Sequence, residues 1–143
     1  MRLRFAKVPQ DHLEKCAELG LWGSNLARFA QWNKGDFLAF KVDNRIAALA
    51  TVSGESYCAG DEVWDSGIYP FRIPIRFERI IPISNRPKFS EIQSELKQIW
   101  GPSYGWGIMT QVLVKGPPAE KIIKFIRSFE GGPVSNSKSL KDR

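Results

Sequence analysis

Phe71-Arg72-Ile73-Pro74-Ile75-Arg76-Phe77-Glu78 is the stretch on which the fold turns. Large apolar side chains hold the odd positions, and Arg72, Pro74, Arg76 and Glu78 hold the even ones. Alternation of this kind is the period of a β-strand, whose successive side chains point to opposite faces. The pattern predicts a strand with one face in a core and the other basic. Pro74 has no N–H to give to a ladder, so an edge or a bulge is expected there.

Upstream lie two short, nearly continuously apolar runs, 37–42 and 46–52. Asp43-Asn44 separates them, and both residue types tolerate the positive φ of a two-residue hairpin. Neither run reaches three helical turns, so buried strands are expected. At the start of the chain Arg2, Leu3, Arg4 and Phe5 also alternate, predicting a first strand with one wet face that Pro9 closes. Asp11 stands three residues before Glu14, as in a capping box, and Gly20 suits a C-cap, so a helix is expected over 11–19. Residues 21–25 read as a loop, and 26–32 as a short helix with Leu26, Phe29 and Ala30 inward. Residues 54–68 are polar and irregular, and a long loop in a small domain is more often functional than loops at large.

Beyond the decisive strand, Ser90 with Gln93 marks a helix start, followed by Ile92, Leu96 and Ile99 on one stripe. Residues 101–107 form a glycine-aromatic loop and 108–114 a strand. Pro117-Pro118 opens a last helix that buries Ile122, Ile123, Phe125, Ile126 and Phe129. The sum is an α+β fold: a small, curved, mixed β-barrel flanked by helices. One domain is expected over 1–130, and a Ser/Lys-rich flexible tail over 131–143.

The 143 residues, 43% hydrophobic and 25% charged, have the composition of a globular chain and exclude wholesale disorder. An excess of Lys and Arg leaves a net charge of +6, with a pI near 9.5, which raises the prior for an anionic partner. Cys16 and Cys58 make no disulfide framework, and read as reduced thiols in a cytoplasmic protein. A single histidine, His12, cannot build a His-based metal site. No apolar run approaches the ~20 residues that span a bilayer. No metal, cofactor or membrane partner is implied. Oligomeric state is left open, with the strand edge at Pro74 as one route to a dimer.

No nucleophile elbow, Walker loop, zinc spacing or His–Glu metal motif is present. With one histidine, the acid–base work of an enzyme would fall on Asp, Glu or Lys, for example a carboxylate such as Asp11 or Asp61. What stands out instead is aromatic residues beside glycine or polar residues: Trp22 before Gly23-Ser24-Asn25, Tyr57 and Trp64 in the long loop, Tyr69 at its end, Tyr104 and Trp106 between glycines. Flat rings on such segments can wall a slot for a base. Arg72, Arg76 and Arg79 would offer phosphate contacts from the basic strand, balanced on the bland reading by Glu78 and Glu62. Lys121, Lys124 and Arg127 read as the solvated side of the last helix.

In order, Leu21-Trp22-Gly23, Lys34-Gly35-Asp36-Phe37-Leu38-Ala39-Phe40, the 46–52 run with Glu55-Ser56-Tyr57, and Tyr69-Pro70-Phe71-Arg72-Ile73 resemble the EVE domain. EVE domains are PUA-like and related to the YTH readers of methylated RNA. The opening is also YTH-like: Arg4-Phe5-Ala6-Lys7, a helix, then Leu21-Trp22-Gly23-Ser24. The resemblance covers residues 2–129. It implies a pocket that takes a flipped, modified base between aromatic rings. Trp22 and Trp64 match the first two walls, and Tyr57, Tyr69 or Trp106 supplies the third. Ser24, Asn25 and Asp11 or His12 fall where polar groups meet the base. The implied partner is RNA or DNA carrying a modified base, with an effector protein beside it. The alternative is an enzyme or a specificity subunit acting with a partner in RNA or DNA modification or restriction.

Overall fold

The alternating stretch becomes the longest strand among the described residues, and its two halves serve different neighbours. The computed structural model describes residues 1–103 and 113–129. In order they form β1 (Arg2–Lys7), α1 (Gln10–Leu19), β2 (Leu21–Ser24), β3 (Phe37–Val42), β4 (Arg45–Val52), β5 (Tyr57–Cys58), β6 (Phe71–Ile80), α2 (Gln93–Trp100), β7 (Val114–Lys115) and α3 (Pro117–Arg127). The strands make one mixed sheet in the order β2-β6-β4-β3-β1-β7, with β5 beside β6. β1 runs parallel to β3, and the other pairs are antiparallel. Among the described residues β2 and β7 are the two ends of this order, so the sheet is open rather than closed. The α+β class, the mixed sheet and the flanking helices are as the sequence predicts.

The Asp43-Asn44 hairpin forms as expected, with φ of 50° and 61° at the two residues, the left-handed conformation a two-residue turn needs. Irregularities between Phe40 and Lys41 and between Leu49 and Ala50 break the register there, the usual means of bending a sheet. Each face of the sheet has its own apolar cluster. Phe5 and Ala6 are neighbours in sequence and belong to different clusters, as strand alternation requires. Leu13, Cys16 and Ala17 of α1 pack with Phe40, Ile73, Ile75 and Phe77. Leu96 of α2 and Ile122, Ile123 and Ile126 of α3 pack with Leu3, Phe5 and Leu49.

Several expectations are corrected. The expected wet face of the first strand is covered by the segment from Gln31 to Asp36, which leaves Arg4 only 3% exposed. Its guanidinium binds the Asp36 carboxylate at 2.9 Å and lies over the Trp32 ring. Residues 21–25 contain a strand, β2, because Trp22 and Gly23 pair with Ile73 and Arg72. Residues 26–32 make only a short 3-10 turn at Phe29–Gln31, with Leu26 and Ala30 exposed while Phe29 and Trp32 are buried. Asp11 is not a cap; Pro9 precedes the helix, and Asp11 accepts the backbone N–H of His12. Ser90 falls inside a 3-10 turn, Phe89–Ile92, where Glu91 accepts the Lys88 N–H, and α2 follows from Gln93.

Pro74 is neither at an edge nor at a bulge. β6 has β2 on one side and β4 and β5 on the other. The carbonyl of Pro74 accepts the Ser53 N–H, so the position where its own N–H would be faces the gap between β4 and β5. No ladder bond is lost there, which is why proline is tolerated in an interior strand. Tyr104 and Trp106 lie outside the described residues, as do most of the expected 108–114 strand and the 131–143 tail; Val114 opens β7.

Candidate functional site

Three elements deliver aromatic rings to one place. β2 carries Trp22, the first turn of α1 carries His12, and the loop between β5 and β6 carries Trp64 and Tyr69. The His12 imidazole lies at their centre. It is within 6° of parallel to the Trp64 indole, with ring centres 5.6 Å apart. Trp22 and Tyr69 meet it edge-on at 5.9 and 5.3 Å, and Tyr69 stands perpendicular to Trp64 at 5.5 Å. Perpendicular and offset-parallel contacts are the favourable arrangements of ring quadrupoles. His12 is 8% exposed, Trp22 6% and Trp64 1%, so the slot between the rings is filled by a side chain of the protein itself.

Beside this cluster lies a small pocket of about 60 Å³, lined by Pro9, Asp11, His12, Lys15, Trp64, Asp65 and Ser66. That space is close to the liquid volume of two waters, at ~30 Å³ each. The Ser66 hydroxyl joins pocket to rings: it is 2.9 Å from the Tyr69 hydroxyl and 3.5 Å from His12 Nδ1. Among the described residues His12 Nε2 and the indole N–H of Trp22 are buried with no hydrogen-bond partner. Such atoms are rare in folded proteins and cluster at sites of function. Burial holds the His12 ring below its ordinary value against an opposing pull from Asp11, so it is neutral at pH 7. Burial pushes the Cys16 thiol, one turn on, up to about 12, with Trp64 pulling the other way.

Arg72 holds the loop in place. It is 2% exposed. Its Nη1 donates to the Asp61 carboxylate at 2.8 Å and its Nη2 to the Asp61 carbonyl. At the other end of the loop Nη2 donates to Ile68 O at 3.0 Å and Nε to Tyr69 O at 3.2 Å. One guanidinium therefore closes the 61–69 segment, and its carbon also lies 5.3 Å from the centre of the Trp64 ring. Tyr69 adopts a φ of 47°, an uncommon conformation for a bulky residue. Trp64 packs directly on Gly23 of β2.

The residues singled out from sequence therefore separate. Trp22, Trp64 and Tyr69 come together. Tyr57 does not: it is in β5, 43% exposed, opposite Arg72. Trp106 lies outside the described residues. Asp11 lines the pocket. The Ser24 hydroxyl is occupied by the Leu26 N–H, and Asn25 is exposed on the following turn. Arg72 is an internal clasp rather than a phosphate contact, since it is 2% exposed and all three of its nitrogens donate within the protein. Arg76 is exposed, and Arg79 donates to the Phe129 carbonyl at 2.8 Å. Lys121, Lys124 and Arg127 are exposed on the last helix as expected, and Arg127 also forms a two-pronged pair with Glu78 at 2.7 Å. Lys15 and Ser66 were passed over in the sequence, because a helix lysine and a loop serine carry no distinguishing pattern.

No family model matches the chain, and no curated protein matches it. Among solved structures it is similar to the YTH domain of Zygosaccharomyces rouxii MRB1 in complex with N6-methyladenosine RNA, with 18% identity, a TM-score of 0.58, and 90% of this chain and 89% of that one covered. It is also similar to the Pho92 YTH domain in complex with m6A, with 16% identity, a TM-score of 0.65, and 94% and 89% covered. A protein of Agrobacterium tumefaciens matches at 11% identity and a TM-score of 0.55, with 87% and 92% covered. The fold is that of a YTH-like α+β domain.

Proposed function

We propose that this protein is a nucleic-acid-binding module of the EVE type that reads a modified base, with RNA as the first partner to test and DNA as the second. The observation that carries the reading is the convergence of Trp22 from β2 with Trp64 and Tyr69 from the loop before β6 around one flat ring beside a surface pocket. The solved YTH domains that share this fold hold N6-methyladenosine RNA and m6A, which supports the same class of ligand here.

In this reading a base leaves its stack at a cost of a few kcal/mol. Stacking on an indole returns about 1–3 kcal/mol, and a methyl group against the remaining rings adds dispersion. Asp11 and Ser66, at the pocket, meet the polar edge of the base. Lys15 at the same mouth and Arg76 on the exposed side of β6 contact phosphates, which gives affinity without sequence preference. A reader of this kind does no chemistry itself and works with an effector protein.

The test is a binding panel at two salt concentrations, with single-stranded RNA and DNA carrying N6-methyladenine or 5-methylcytosine, and their plain counterparts. A preference for one modified strand that Trp64→Ala removes supports the reading. Equal binding of modified and plain strands throughout overturns it.

A further inference from the structure

The ring that occupies the slot belongs to the protein. His12 lies flat on Trp64, 6° from parallel, as a nucleobase would. It is buried, yet Nε2 has no hydrogen-bond partner among the described residues, and Nδ1 has only the Ser66 hydroxyl, at 3.5 Å. A core histidine kept for stability normally has its nitrogens satisfied, since an unpaired buried polar atom costs free energy. Its other neighbours are the edges of Trp22 and Tyr69, the same walls that would hold a base. The pocket lies beside the imidazole, and the space against the Trp64 ring is taken by the imidazole itself.

We infer that His12 is a resident plug, a flat side chain that fills the cage in the free protein and must swing out for a base to enter. This rests on the proposed reading of the cage and adds how that cage is regulated. The direction of exit is open to solvent, because His12 itself lines the pocket with Pro9, Asp11 and Lys15. Once displaced, the ring regains water on both nitrogens, which offsets part of the stacking it gives up. The consequence is a tax on binding: only the fraction of molecules with the ring out is competent, and apparent affinity falls by that fraction.

His12 is the only histidine in the chain, so its ring signals in a proton NMR spectrum need no assignment among others. In the free protein they are expected to be displaced by the ring currents of Trp64, Trp22 and Tyr69. On saturation with the modified strand that the panel selects, they should move to the positions of an exposed histidine. In parallel, His12→Ala should bind that strand about tenfold tighter than the unaltered chain if the slot is open a tenth of the time. Free imidazole should bind to the emptied slot and raise the melting temperature of His12→Ala, with no effect on the unaltered chain.

Ring signals that stay displaced in the saturated complex overturn the plug, whatever the variant does, and leave the reader standing with His12 as a wall of the site. Unchanged or weaker binding by a folded His12→Ala overturns it as well. If no modified strand is preferred by either protein, the proposed reading itself falls and the plug with it. If His12→Ala does not fold, the spectrum of the unaltered protein decides alone.

Discussion

A Cβ placed on Gly23 would stand 2.6 Å from Cη2 of Trp64 and 2.9 Å from Cβ of Tyr69. β2 and the loop that carries Trp64 approach each other as closely as a bare backbone permits, and only glycine allows it. Gly23→Ala should therefore push Trp64 off its seat. The expected cost is roughly 1–3 kcal/mol, as for other overpacked sites, visible as a lower melting temperature. Preference for a modified strand should fall with it. A variant that melts like the unaltered chain would show that the loop has room to yield.

Arg72 and Asp61 are unequal partners. The Arg72 side chain is 2% exposed and that of Asp61 69%. The carboxylate is well solvated, so Asp61→Asn should cost less than ~1 kcal/mol. The three backbone carbonyls that Arg72 also serves would be left with a poorer donor set by Arg72→Lys, at about 1–3 kcal/mol. Chemical denaturation of the two variants measures both. Equal losses would mean that the ion pair, rather than the carbonyl clasp, holds the loop.

Stability should fall as the pH drops below neutrality, because of His12. Burial keeps its ring below the ordinary value of 6.5, with Asp11 opposing. The unfolded chain takes up a proton near pH 6.5 and the folded chain only further down. In that window the unfolded state binds more protons, so stability is full above it and is lost as the pH falls through it. Asp11 and Lys15 of α1 and Asp65 and Tyr69 of the loop are the other titratable groups around the ring. Asp36, which burial alone would push up, is drawn below the usual carboxylate range by Arg2, the Asn33 N–H and Arg4. Arg127 holds Glu78 below it too. Their contributions are present above about pH 4 and are lost below it, so they do not mask the histidine. Melting temperatures at about pH 7.5 and about pH 5.5 should differ in the unaltered chain and much less in His12→Leu.

Salt dependence separates surface cations from buried ones. Each phosphate contact removed should flatten the plot of log affinity against log salt by about one. Lys15→Ala and Arg76→Ala should each do so, with similar effects on modified and plain strands. Arg72→Lys should leave the slope unchanged, since its charge is turned inward. Slopes unchanged in both surface variants would place the phosphate track elsewhere.

Local chemistry made much of this legible in the sequence. The Asp43-Asn44 turn, the alternation through Phe77 and the Pro117-Pro118 helix start each depend on a few adjacent residues. Arg4 and Arg72 were misread for one reason: an arginine in an alternating strand looks the same whether its face meets water or another part of the chain. Only the partners, Asp36 from 32 residues away and the loop ending at Tyr69, decide between the two. Trp22 and Trp64 could be picked out as rings that come together because tryptophan beside glycine and polar residues is unusual. His12 was read chiefly for the metal site it could not make, since nothing in a helical sequence says that a side chain will lie flat on a ring more than 50 positions on.

Because a single guanidinium fastens both ends of the 61–69 segment, and Trp64 seats its middle on Gly23, the exposed positions between these fastenings, such as Glu62 and Asp65, are relieved of anchoring duty. Their side chains can change while the fastened positions stay where β6 and β2 put them. Variation confined to those positions would alter the outer surface of the segment and leave the scaffold beneath it untouched.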